Sequence, residues 1–251
     1  MKTLILNVAL IFIFSGYAFA QDDVKHYLVA GDSLFNALDN QSALKEYLSA
    51  YNLDSLNYDA NWKVARAYVD VGATLDGDLR AEYYKKGEFH ARKATQIDTQ
   101  GSKGHLYLSI ALGRVALDAG AKERIKLSKE VKKEVDLAIK YDPNDDIAYH
   151  VLGRWNRKLA NLSWIERGFA NIFLGGVPKE ASNENAVDCF NKAIELKPGH
   201  INHHLELGKT YEMMDLEDKA REEYQKCLDL PKTASEDDKY KQEAKTLLEK
   251  L

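Results

Sequence analysis

The chain has 251 residues, of which 45% are hydrophobic and 29% charged, with only 4 prolines and 15 glycines. That composition excludes a collagen-like or low-complexity disordered polymer, and a formal net charge of −4 argues against a generic electrostatic grip on nucleic acid. The 14 tyrosines are a high count and point to helices packed through Tyr–Ala contacts.

Residues 1–20 read as a cleavable export signal. Lys2 supplies a positive start, Leu4 to Phe14 is an apolar run too short for a permanent span, and Ala18-Phe19-Ala20 has the small-x-small form of a signal peptidase site. An uncleaved anchor is the competing reading. Cleavage after Ala20 leaves Gln21 first and a net charge of −5, and no Cys follows the cut to carry a lipid. The expected location is secreted or periplasmic. Cys189 and Cys227 fall at apolar positions of predicted helices, so two small buried hydrophobes are favoured over a disulfide.

Repeats organise the rest. The stretch from Pro198 to Pro231 carries Leu207-Gly208, Tyr211, Ala220, Tyr224 and Cys227 at the spacing of a tetratricopeptide helix–turn–helix unit. The small residue lets two helices approach, and the Tyr and Ala positions interdigitate between them. Laid over the chain from its start, that frame places a first unit at Tyr27, Ala30-Gly31, Leu34, Ala43, Tyr47 and Ala50, with a turn at Asp39-Asn40-Gln41. A second has Val64-Ala65 and Tyr68, with Asp76-Gly77-Asp78 opening a long helix from Leu79 to Ile97. A third has Leu108-Ser109 and Leu112, then an apolar stripe at Ile125, Val131, Val135, Ala138 and Ile139 in a helix from Lys122 to Lys140. A fourth has Tyr149, Leu152-Gly153 and Asn156, then an insertion, Ser163 to Pro178, before Ala186, Phe190 and Ala193. The insertion predicts a short helix and a Gly175-Gly176 turn.

In the last unit Asp215 is the expected N-cap of the second helix, and Ser235 with Asp238 resembles a capping box opening a final helix. The expected fold is all-α: a tetratricopeptide-like right-handed solenoid of helical hairpins over 21–251. Its units are about 24–57, 58–101, 102–145, 146–200 and 201–234, with an extra helix in the fourth and a polar-backed cap over 235–251.

The whole mature chain resembles tetratricopeptide-repeat proteins. Its C-terminal half, YHVLGRWNRKLANLSWIERGFANIFLGGVP with AVDCFNKAIELKPG and LDLPKTASEDDKYKQEAKTLLEKL, resembles the regulator of microtubule dynamics family more narrowly. Gly153-Arg154-Trp155 and Leu162-Ser163-Trp164 match that family's fourth-unit signature. The resemblance implies a helical-repeat adaptor without known catalytic residues. Eukaryotic members are tied to microtubules and to membrane contacts between organelles, and this chain differs at its front by a bacterial-type secretory signal in place of a retained anchor.

No HExxH, Cys pair at metal spacing, G-x-S-x-G, P-loop or dinucleotide fingerprint is present. A non-enzyme with no cofactor and no metal is expected. His200, His203 and His204 cluster, but Glu206 is the only nearby acidic candidate, so surface imidazoles at the start of a helix are the favoured reading.

Binding is the stronger expectation. In tetratricopeptide solenoids the first helix of each pair lines the concave face, and the corresponding positions here hold eight Lys or Arg against four Asp or Glu. The candidate contact residues are Trp62, Arg66, Lys103, Arg114, His150, Arg154, Arg157, Lys158 and Lys209. Arg grips carboxylates and phosphates bidentately, so the groove suits a protein or peptide partner, or alternatively an anionic lipid or other amphiphile. The competing reading pairs Arg154, Arg157 and Lys158 with Asp or Glu on neighbouring helices. Trp155 and Trp164 are expected in the core. The insertion helix is expected to pack into the solenoid, with a lid or membrane-touching role as the alternative. Oligomeric state is not legible.

Overall fold

The computed structural model describes residues 21–173 and 175–251; the expected export signal at 1–20 lies outside the described residues. All regular structure among the described residues is helical. The chain forms two compact units, dividing between Thr99 and Gln100.

In the first unit, α1 covers residues 21–36, followed by α2 (Asn40–Leu53), α3 (Tyr58–Gly72) and α4 (Gly77–Ile97). The turn after α1 puts Leu38 at φ 65°, and Asp39 then caps α2, its Oδ1 accepting the Ser42 N–H at 3.0 Å. Asn57 caps α3 in the same way through Ala60 N–H, at 2.9 Å. These bonds satisfy donors that a helix start leaves open. The core gathers Ala43, Leu44, Tyr47, Val64, Ala67, Tyr68 and Val71, with Leu28, Leu34 and Phe35 of α1 packed against them. Gly31 of α1 lies directly against the Tyr47 ring, leaving no room for a Cβ.

The second unit contains α5 (Ser102–Val115), α6 (Ala121–Tyr141), α7 (Asp146–Ala160), α8 (Trp164–Phe173), α9 (Asn183–Leu196), α10 (Ile201–Glu212), α11 (Glu217–Asp229) and α12 (Asp237–Leu248). Helices α5 and α6, α7 and α9, and α10 and α11 pack together as pairs. Helix α8 interrupts the α7–α9 pair and packs on α6 instead, while α12 covers α11 and α10. The last core cluster shows why a cap is needed: Ile201, Leu205, Ala220, Tyr224 and Cys227 would face water without Ala244, Leu247 and Leu248 of α12. Both cysteines are free thiols, Cys227 fully buried and Cys189 half-buried.

Three local expectations are corrected. Asp215 does not cap α11: it takes the left-handed turn position at φ 58°, which Asp tolerates better than most residues, and Leu216 becomes the N-cap. The last helix begins at Asp237, with Glu236 and not Ser235 at its N-cap. Asp237 is buried and its Oδ2 accepts the backbone N–H groups of Thr233 and Ala234, each at 2.7 Å, while Asp238 pairs with Lys232. The capping box lies at α8, where Ser163 Oγ and Glu166 bond reciprocally. Trp164 is not a core residue. It is 83% exposed, and Ile165 and Ile172 of the same helix are exposed with it, whereas Trp155 is 6% exposed and its Nε1 donates to Ser128 O at 2.8 Å. Helix α8 thus buries Ala170 and turns much of its apolar surface outward. No described helix is long and apolar enough to cross a membrane.

Candidate functional site

In the first unit, Arg66 is held by the core rather than presented. Its Nη2 donates to Tyr47 OH at 2.7 Å, and its guanidinium lies 3.6 Å from the centre of the Phe35 ring. Tyr47 OH in turn donates to Asp32 at 2.8 Å, and the same carboxylate pairs closely with Lys63. Trp62 is half-buried beside them, its Nε1 donating to Asp59 at 2.8 Å. The cluster of rings and charges is largely self-satisfied.

In the second unit the nominated residues divide. Lys103 bonds Asp145 at 2.6 Å, and Asp145 also caps α7 through Ile147 N–H, so this cation ties one hairpin to the next. His150 is buried and its Nδ1 lies 2.9 Å from His203 Nδ1. Arg157 is 7% exposed; it pairs closely with the Glu206 carboxylate, and its Nη1 donates to the Glu206 backbone carbonyl at 2.8 Å. His150 and Arg157 are turned to α10 of the next hairpin and not to solvent, meeting His203 and Glu206 there.

Around that buried pair the remaining cations converge. Arg154 lies 3.7 Å and Lys209 3.3 Å from the same Glu206 carboxylate, and Lys209 also reaches Glu243 of α12 at 2.5 Å. Burial acts to raise the Glu206 pKa, but Arg154, Arg157 and Lys209 together outweigh it and hold the carboxyl far below its usual range. One carboxylate therefore serves three cations. Lys158 has no ion-pair partner among the described residues. Although the side chain is exposed, desolvation by the surrounding protein and then the Arg154 charge, opposed in part by Glu206, push its pKa down to about 8. The charges of Arg114 and Arg154 both reach the Tyr240 hydroxyl of α12, whose pKa burial pushes up.

The histidine cluster is also corrected: His203 is fully buried, His204 nearly so, and neither is a surface imidazole. Glu206 does not join them, being engaged by Arg157. Asp146 does, its Oδ2 lying 2.9 Å from His203 Nε2, and Asp146, His200 and His203 offer donor atoms within 4.8 Å of one another. His204 is spoken for separately, by Glu223 at 2.7 Å and Pro198 O at 2.9 Å. Sequence reasoning missed Asp146, Tyr240 and Glu243. Their nearness depends on which hairpins stack, and the only local trace was Asp146 and His150 four residues apart on one helix face.

Helical hairpins joined through Gly–Tyr contacts define a class, the tetratricopeptide-like proteins. The crystal structure of a thermophilic TPR protein of Thermus thermophilus has this fold, with a TM-score of 0.65 over 90% of this chain and 98% of that one at 16% identity. More particularly, the chain belongs to the family described as Regulator of microtubule dynamics protein 1-3, whose model matches residues 27–251. It is 27% identical over 219 residues to Regulator of microtubule dynamics protein 1 of Caenorhabditis elegans, covering 87% of this chain and 96% of the relative. It is 27% identical over 231 residues to Regulator of microtubule dynamics protein 3 of Bos taurus, covering 90% of this chain but only 49% of the relative's length.

Proposed function

We propose that this protein is a non-catalytic binding module whose second unit holds an acidic segment of a partner protein against Arg114, Arg154, Lys158 and Lys209. The observation that carries the reading is the imbalance at Glu206. Two carboxylates, Glu206 and Glu243, face Arg157, Arg154 and Lys209, while Lys158 feels the Glu206 charge but has no carboxylate within salt-bridge distance among the described residues. An incoming carboxylate supplies the missing negative charge, and forked donors on Arg114 and Arg154 suit its planar geometry. A lysine held near pH 8 gains proton affinity when an anion arrives, so binding weakens as pH rises through that value. Export to the periplasm or exterior is part of the proposal and rests on Lys2, the apolar run and Ala18-Phe19-Ala20. The partner is therefore sought among envelope or secreted proteins, and regulation of microtubules stays with the relatives whose names state it.

The test is fluorescence anisotropy with a labelled hexaglutamate peptide. Saturable binding that weakens with salt, and falls at least tenfold in the Arg154→Glu, Lys158→Glu double variant, is the expected result. Equal binding by wild type and variant, or no saturable binding, overturns the peptide reading. Binding to phosphatidylserine vesicles without peptide binding replaces it with the amphiphile alternative.

A further inference from the structure

We propose that Asp146, His200 and His203 form a site for one divalent transition-metal ion of the zinc type, with His150 orienting His203 from behind. Two helix starts bring the residues together. Asp146 is the first residue of α7, and His150 stands one turn further along it; His200 is the N-cap of α10, and His203 lies in its first turn. Donor atoms of Asp146, His200 and His203 lie within 4.8 Å of one another.

Each nitrogen of His203 has a partner. Nε2 faces Asp146 Oδ2 at 2.9 Å, and Nδ1 faces His150 Nδ1 at 2.9 Å. An ion between Nε2 and the carboxylate displaces the proton those two atoms share, and Nδ1 then carries the ring's one proton and donates to His150. A ligating imidazole held through its other nitrogen is the usual second layer of such a site. His200 supplies an independent pointer: its Nδ1 is buried and has no hydrogen-bond partner among the described residues. Buried polar atoms are rarely left so.

The arrangement also sets what must move. His200 stacks on His203 with ring centres 4.1 Å apart and planes 12° from parallel, and parallel rings cannot both hold one ion in plane. Loading the site turns the His200 ring out of that stack, a motion open to a partly exposed N-cap side chain. Two imidazoles and one carboxylate suit zinc and its neighbours in the first transition row; magnesium and calcium prefer all-oxygen shells. Three protein ligands leave a fourth position for water. The positive ends of α7 and α10 oppose a cation, which is why the Asp146 carboxylate is indispensable here.

The experiment strips the full-length protein with EDTA, removes the chelator and titrates with zinc chloride by calorimetry. Cobalt(II) is added in parallel and its visible d–d bands recorded. One equivalent of zinc, a raised Tm and a four-coordinate cobalt spectrum without thiolate charge-transfer bands are expected. His200→Ala and Asp146→Asn each lower zinc affinity at least tenfold, while His26→Ala, at an exposed position elsewhere, leaves it unchanged. Tm in EDTA separates ligand loss from unfolding, and His200→Ala decides alone if Asp146→Asn fails to fold. No saturable zinc uptake by the wild type, or equal uptake by wild type and His200→Ala, overturns the proposal.

Discussion

Gly153 on α7 sits against the ring of Phe190 on α9, so close that a Cβ on the glycine would fall 2.8 Å from ring carbon Cε1. The two helices close on one another although α8 and its flanking turns intervene in the chain. The same contact recurs at Gly208 with Tyr224, where the added Cβ would lie 2.5 Å from the ring. Tyr224 is fully buried, and its hydroxyl donates to Glu212 at 2.7 Å, so the ring cannot step aside.

Substituting Gly208→Ala is therefore expected to cost about 1–3 kcal/mol, the usual range for overpacking. Gly113, on α5, has nothing within 4 Å of an added Cβ, so Gly113→Ala gains up to about 1 kcal/mol from helix propensity. Urea denaturation of the two variants checks both signs together.

Breaking the Arg157–Glu206 pair leaves a guanidinium buried without its carboxylate. Glu206→Ala should destabilise by about 3–5 kcal/mol, as for other buried pairs that lose one partner. Adding Arg157→Met to the same chain should recover much of that loss. Thermal and urea midpoints of the single and double variants measure it.

The two tryptophans of the fourth hairpin should behave oppositely. Trp155→Ala removes a buried ring and its bond to Ser128 O, at a cost of about 3–5 kcal/mol. Trp164→Ala should change stability by no more than about 0.5 kcal/mol, since the ring is 83% exposed. The emission maximum of a Trp62→Phe, Trp155→Phe variant, red-shifted because only the exposed Trp164 remains, gives a second reading.

Acid should destabilise the first unit before its carboxylates titrate. Burial, and then the Lys93 charge, push His90 down to about 4 among the rings of Tyr51, Tyr68 and Phe89. Its folded pKa lies below the ordinary value of 6.5, so the unfolded chain binds the proton first. The stability contributed by neutral His90 is full above pH 6.5 and is lost as pH falls toward 4, amounting to about 3 kcal/mol at most. Calorimetry between pH 6.5 and 5 should show a shallower fall in Tm for His90→Phe than for the wild type.

Much of the hairpin architecture was legible because its signal is local. The Gly, Ala and Tyr positions recur at a fixed period, and Asp39, Asp76-Gly77 and Gly175-Gly176 mark turns by their own conformational preferences. The α11 start failed by one residue because Asp serves equally well as a cap and as a left-handed turn residue. Trp164 failed because an aromatic residue in an amphipathic helix reads as core whichever side the neighbouring helix covers.

The sequence by itself determined the helical-hairpin class, the position of the insertion and an excess of cations along the first helices, all properties of spacing and residue type. Only the tertiary structure decided which charges meet. Asp146 and His203 are 57 residues apart and Arg157 and Glu206 are 49 apart, and stacking α7 against α10 joins both pairs. A carboxylate at Glu206 could have been a metal ligand, a surface charge or a counter-ion. Burial among three cations made it the last, because at such distances in a dry interior the nearest opposite charge outweighs every preference carried by the local sequence.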